Sequence, residues 1–195
     1  ISTIFEISEK NRTYATILKT ALEYLLRLST LSHSEQARQQ ILHLQSVCTN
    51  LLAPENDSPG NLAFLHNLDE SLLKNIISVT DPESVSRCRI ISPFFDSQLH
   101  ALSEFCRFFP KAEIEIYVQQ AKSTLPIPVL ESFNQIHRVK VFVFEGLDRY
   151  MHGKAIILDT LEESYLFSGS ANFTAPALLK TALAGNYEIS LFGQI

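Results

Sequence analysis

The chain has 195 residues, 16 Lys and Arg against 21 Asp and Glu, a formal net charge of −5 and 46% apolar residues. This is ordinary globular composition, which excludes a disordered tail, a collagenous repeat or a coiled coil, and no apolar run approaches the ~20 residues of a membrane-spanning helix. The mild acidity lacks the basic footprint of dedicated nucleic-acid binders, although a local positive site can sit on an acidic protein.

Residues 2–7 are β-branched and aromatic and predict a short strand. Tyr14, Ile17, Leu18, Ala21, Leu25 and Leu28 then recur at helical spacing. Ser32, with Glu35 three residues on, reads as a capping box opening a second helix, whose face is Ala37, Ile41, Leu44, Cys48 and Leu51. A dense turn cluster at 54–60 marks the boundary between a strand-plus-two-helix segment, 1–57, and an α/β domain, 58–195. In the second part, 61–66 predicts a strand and 70–79 a helix capped by Asn67 or Asp69. Residues 87–92 predict a strand, after which Asp96 caps a helix with Leu99, Leu102, Cys106 and Phe109 on one face. The alternation of 113–118 predicts a strand with one wet face, whereas 139–144 and 155–158, apolar on both faces, predict central strands. Residues 165–168 and 186–192 supply two more.

Cys48, Cys88 and Cys106 are odd in number and widely spaced, so buried free thiols and a reducing, cytoplasmic setting are expected rather than disulfides or zinc. Residues 1–7 lack the basic start and apolar core of a secretory leader. The missing initiator Met, and an end just after a strand-like run, point to an excised fragment.

The informative stretch is His152-Gly153-Lys154, then Asp159, then Gly169-Ser170-Ala171-Asn172. As H-x-K-x4-D followed by G-S-x-N, the two parts are expected by chance about 0.008 and about 0.03 times in such a chain. On a strand, His152 and Lys154 share a face, while Asp159 faces the other side and suits a structural carboxylate. Gly153 and Gly169 allow a ligand close to the backbone. An imidazole, an ammonium, the Ser170 hydroxyl and the Asn172 amide, converging, match an anionic tetrahedral group such as a phosphodiester.

These residues resemble the HKD motif of the phospholipase D superfamily. Ser92-Pro93-Phe94-Phe95-Asp96 is similar to a segment of its nuclease-like members, and Glu188 falls where the family has an acidic residue orienting the motif histidine. The resemblance runs in outline from Leu62 to Phe192 and leaves residues 1–57 uncovered. It implies a mixed central β-sheet flanked by helices and metal-independent phosphodiester chemistry, with no cofactor and no metal. One motif histidine forms a phosphohistidine; a second protonates the leaving group and activates water or an alcohol. His152 takes one of those roles, Lys154, Ser170 and Asn172 hold the non-bridging oxygens, Glu188 fixes the imidazole tautomer, and Asp159 and Gly169 are structural. The chain departs from the pattern twice. Nine residues, 160–168, separate Asp159 from Gly169 where six are common, which predicts a longer hairpin loop at Leu161–Ser164. Only one motif is present, because His33, His43, His66, His100 and His137 have no Lys two residues on. The partner motif is expected from a second copy in a homodimer or from sequence beyond Ile195.

The expected function is a nuclease, a hydrolase acting on DNA or RNA. A phospholipid-head-group phosphodiesterase or transferase is the first alternative. A non-catalytic nucleic-acid-binding or dimerisation module of a restriction, repair or helicase-linked protein is the second. No stable membrane insertion is expected.

Overall fold

The computed structural model describes residues 15–49, 62–134, 138–146 and 149–195. The strand expected at 2–7, the turn cluster at 54–60 and the positions of Tyr14, Leu51 and His137 lie outside them. The chain divides into two compact units, Ile1–Phe64 and Leu65–Ile195.

In the first unit, helix α1 spans Ala15–Leu31 and α2 spans Glu35–Val47. α1 carries Lys19, Glu23 and Arg27 four apart on an exposed side, and the side chains it buries most are Leu22, Tyr24 and Ser29, while Leu25 stays exposed. The capping box expected at Ser32 is not formed. Ser34 caps α2 instead, accepting from Ala37 N at 3.3 Å, while Ser32 Oγ donates back to the Ser29 carbonyl. Of the apolar face predicted for α2, Ile41 is buried and Leu44 is exposed.

The remaining elements are β1 (Leu62–His66), α3 (Leu72–Ser78), β2 (Arg87–Ile91), α4 (His100–Phe108) and β3 (Glu113–Gln119). They continue with α5 (Ile127–Phe133), β4 (Val139–Phe144), β5 (Ala155–Asp159), β6 (Ser164–Gly169), α6 (Ala175–Leu178) and β7 (Ile189–Gln194). The strands form one mixed sheet in the order β1-β7-β6-β5-β2-β3-β4. β2, β3 and β4 run parallel, whereas β5, β6 and β7 each run antiparallel to the neighbour before them in β2-β5-β6-β7.

Register decides where the core lies. Cys88 pairs with Ile114 and Leu158, Ile90 with Ile116 and Ile156, and Ile156 with Phe167, so all of these side chains share one face. Against that face pack Leu72 and Ile76 of α3, Leu102 and Phe105 of α4, Leu130 of α5 and Leu178 of α6. Cys88 and Cys106 are buried here, and burial pushes both thiols up, that of Cys106 to about 12, so neither forms a thiolate near neutrality. The opposite face carries Arg87, Arg89, Glu115, Tyr117 and Asp159.

Three expectations are corrected in this unit. α3 is capped by Ser71, which accepts from Lys74 N, and neither Asn67 nor Asp69 has that place. The polar face of β3 is only partly wet: Glu115 is buried and accepts from Tyr117 Oη at 2.8 Å, while the Glu113 side chain beside Lys140 stays 37% exposed. β4 is the last strand of the sheet, not a central one, and Phe142, Val143 and Phe144 are 41, 50 and 41% exposed. Alternation cannot separate a doubly covered strand from an apolar edge strand, because both read as continuous apolar runs.

Candidate active site

The site forms where β2 and β6 end and β5 and β7 begin. His152 and Lys154 lie on the extended approach to β5, outside the strand itself. This approach is held from below by Gln119, the last residue of β3 and a buried one. Gln119 Oε1 accepts from Met151 N at 2.8 Å, and its Nε2 donates to the Arg149 carbonyl at 3.1 Å. The exposed His152 ring lies 5.3 Å from Tyr150 and edge-on to Phe94 at 6.3 Å. Lys154 Nζ stands 3.1 Å from His152 Nε2 and donates to the His152 carbonyl, also at 3.1 Å. Partial burial pulls the Lys154 ammonium below the ordinary lysine range, and the Glu188 charge works against that pull.

Ser170 and Glu188 meet across the β6–β7 ladder. Ser170 Oγ donates to Glu188 Oε2 and accepts from Ile189 N at 3.1 Å, while Ser170 N donates to the Ile189 carbonyl at 3.0 Å. The buried Glu188 also receives Asn186 Nδ2 on Oε1 at 3.3 Å. Glu188 is expected beside His152. Its oxygens instead take Ser170 and Asn186, and among the described residues no hydrogen bond joins it to the imidazole.

Lys154 is tied to this pair through the backbone, since Gly169 N donates to the Lys154 carbonyl at 3.3 Å. Lys154 and Gly169 also line one cavity of about 20 Å³ with Ser92 and Phe173. Asn172 Oδ1, beside Phe173, is buried and has no hydrogen-bond partner among the described residues. An unpaired buried carbonyl costs about 1–3 kcal/mol; as an acceptor it cannot face a phosphate oxygen, so any anion contact at Asn172 falls to its Nδ2.

Asp159 lies on the other face, as alternation requires. It accepts from Arg87 Nε at 2.8 Å, from Arg89 Nη2 at 2.6 Å and from Ser164 Oγ at 2.7 Å. Burial alone would raise its pKa, but the hydrogen bonds from Arg89, Ser164 and Arg87 outweigh it and hold the carboxyl below the usual range. The long hairpin loop expected at Leu161–Ser164 is not there. Thr160 Oγ1 accepts from Glu162 N and Glu163 N and closes a tight turn, and Ser164 already belongs to β6.

The two glycines differ. A Cβ on Gly153 would make only an ordinary 3.8 Å contact with Ile91. On Gly169 it would stand 2.0 Å from the Ile189 carbonyl oxygen and 2.7 Å from Ser190 Cα, so the close approach there is made by β7.

Four positions whose long-range partners the sequence does not show support the site. Besides Gln119, Ser92 Oγ accepts from Phe173 N at 3.0 Å and from Phe94 N at 3.3 Å, fixing Phe94 beside His152 and Phe173 beside Asn172. Asp96 takes His100 N and Ala101 N, as its capping role predicts, and also Ala175 N at 3.3 Å, so one carboxylate opens both α4 and α6. The fourth is Asn67, which is 0% exposed and accepts from Glu188 N at 2.8 Å.

No family model and no curated protein matches the chain. Solved structures do. NucT from Helicobacter pylori is 19% identical with a TM-score of 0.47, over 67% of this chain and 83% of that one. A phospholipase D family member, Nuc from Salmonella typhimurium, is 17% identical with a TM-score of 0.46, over 68% and 81%. Yeast tyrosyl-DNA phosphodiesterase is 18% identical with a TM-score of 0.45, over 67% of this chain. The chain spans 31% of the length of that enzyme. All three likenesses lie below 20% identity and below a TM-score of 0.5. Function has to be argued from the side chains.

Proposed function

We propose that the chain carries one half of a metal-independent phosphodiesterase site that cleaves nucleic acid. The observation that carries this reading is the pairing of His152 Nε2 with Lys154 Nζ at 3.1 Å, on the strand end next to the Ser170–Glu188 pair. An exposed imidazole held against an ammonium suits an anionic ligand, because the cation that now donates to the ring can turn to a phosphate oxygen. Asn172 brings an amide to the same end of the sheet, whose Nδ2 is the group able to donate to an anion.

In this reading His152 Nε2 attacks phosphorus and the bond to the leaving oxygen breaks. A histidine of a second motif gives that oxygen its proton. The second histidine then takes a proton from water, whose oxygen displaces Nε2 and regenerates the ring. The roles of the two histidines are interchangeable by symmetry. Lys154, the Asn172 amide nitrogen and, once its hydroxyl turns from Glu188, Ser170 stabilise the charge on the non-bridging oxygens. The second motif comes from another copy of the chain about a two-fold axis, or from sequence outside residues 1–195. Among the described residues no helix is long and apolar enough to cross a membrane. Nucleic acid is the preferred substrate over a lipid head group on the resemblance of Ser92–Asp96 to nuclease-like members.

The test is cleavage of single-stranded and plasmid DNA in excess EDTA, comparing the wild type with His152→Ala. Cleavage that survives chelation and disappears in the variant supports the reading. Equal cleavage by both proteins overturns it, and DNA binding with no turnover by either favours the non-catalytic module.

A further inference from the structure

We infer that Asn67 is a positioning residue of the site, holding Glu188, and through it Ser170, in place. The inference rests on the phosphodiesterase reading and adds a residue to it that lies 85 positions before His152.

Asn67 follows β1 at the turn into α3 and is completely buried. Every polar group it has is used. Its backbone N donates to the Glu188 carbonyl at 3.2 Å, and its Oδ1 accepts from Glu188 N at 2.8 Å, so one residue grips both backbone groups of the other. Nδ2 donates to the Asn186 carbonyl at 2.7 Å and to the Lys180 carbonyl at 3.2 Å, and the Asn67 carbonyl accepts from Ala182 N at 2.7 Å. The segment 180–188, which has no regular structure to fix it, is thereby anchored at four residues, Lys180, Ala182, Asn186 and Glu188.

That anchoring sets the side chain of Glu188. With its backbone clamped, its carboxylate is directed at Ser170 Oγ and Asn186 Nδ2, and its charge acts on Lys154. A helix cap would have needed only an oxygen acceptor, and Ser71 provides one. An amide is required at 67 because the clamp needs one acceptor and two donors within a single planar group. An aspartate cannot donate to the two carbonyls, and an alanine leaves three backbone groups unpaired.

The experiment is a double-mutant cycle on turnover of a phosphodiester substrate, with Asn67→Ala, Glu188→Gln and the combination. Ser71→Ala serves as a control that weakens a neighbouring helix start without touching the site. Asn67→Ala is expected to lower kcat by about 10- to 100-fold. The double variant should fall no more than about twofold below Glu188→Gln alone. Ser71→Ala should lose stability and keep its turnover. Additive losses for Asn67→Ala and Glu188→Gln, or an equal loss of turnover in Ser71→Ala, overturn the inference and leave Asn67 a structural residue. If the wild type itself shows no turnover, as a half-site without its second motif would, the clamp is judged by amide hydrogen exchange. Protection at Glu188 and Ile189 that drops in Asn67→Ala but not in Ser71→Ala supports it, and unchanged protection overturns it.

Discussion

Lys154 Nζ lies 3.1 Å from both the Nε2 and the carbonyl oxygen of His152, so one ammonium bridges the ring and backbone of the residue two positions before it. An ammonium has no lone pair. It can therefore only donate, to the carbonyl and, in the tautomer that leaves Nε2 unprotonated, to the ring. A phosphate would compete for the same ammonium protons, and two consequences follow for pH. Burial sets the Lys154 pKa below the ordinary 10.5, so affinity for inorganic phosphate falls with rising pH before a free lysine would titrate. Stability moves the other way. The unfolded chain binds the extra proton between the folded and unfolded pKa values, so unfolding free energy rises with pH in that window. Lys154→Met is expected to weaken phosphate binding by at least about tenfold and to remove that rise. Calorimetric phosphate titration and thermal melts from about pH 7 to pH 11 read both effects. Unchanged affinity in the variant would remove Lys154 from the anion site.

Asp159 belongs to the same sequence motif but its role is stability. Its carboxylate neutralises Arg87 and Arg89 on the face opposite the core, and its own side chain is 9% exposed. Asp159→Asn leaves two guanidinium groups short of a partner, and because both reach solvent the loss is held to about 2–3 kcal/mol. For a chain of this size that is about 5–10 °C in Tm. The folded-state pKa is depressed, so the contribution is complete above the unfolded carboxyl value of 3.8 and is lost as pH falls through the folded one. The difference between wild type and variant in urea unfolding should therefore shrink in acid, while phosphate affinity stays the same. A variant that unfolds like the wild type at pH 7 but binds phosphate poorly would reverse this assignment.

Much of this was legible in the sequence because it rests on strand alternation. Two-residue spacing puts Asp159 on the face opposite Leu158 and Ile156, and β5 obeys it, while His152 and Lys154 precede the strand. Asp96 was legible as a cap for a similar reason, since an Asx residue before an apolar helical stripe has one common use. What escaped depends on long-range partners. Asn67 reads as a local cap, and its actual partner, Glu188, is 121 residues away. Gln119 ends an alternating strand where any polar residue would fit the pattern. β4 failed as a central strand because the order of strands in a sheet is not written in the composition of any one of them.

Gly169 offers a test of what the motif glycine is for. A ligand-contact role predicts that a small side chain harms binding and leaves the fold intact. The structure predicts the reverse order, because an added methyl would meet the Ile189 carbonyl oxygen and Ser190 Cα before any ligand. Gly169→Ala is expected to cost more than about 2 kcal/mol, since the atoms in the way are backbone and cannot rotate aside. Gly153→Ala, with an ordinary 3.8 Å contact, should stay within about 0.5 kcal/mol of the wild type. Denaturant unfolding of the two variants distinguishes the roles, and equal stabilities would return Gly169 to the ligand.

Gln119 holds the histidine from the other direction. Its amide accepts from Met151 N and donates to the Arg149 carbonyl, so the backbone immediately before His152 is bolted to the end of β3. Gln119→Met keeps the volume and removes both bonds, leaving two backbone groups unpaired at about 1–2 kcal/mol. Stability alone would not identify the role. The position of the imidazole should, because a displacement of about 1 Å in a reacting group can lower turnover about 100-fold. A second measurement avoids dependence on activity. Arg149 is exposed and its carbonyl is one of the two points held by Gln119, so freeing it should speed tryptic cleavage after Arg149 several-fold while cleavage at exposed Lys74 is unchanged. Equal cleavage at both positions, with turnover intact, would mean that the approach to β5 is held by something other than Gln119.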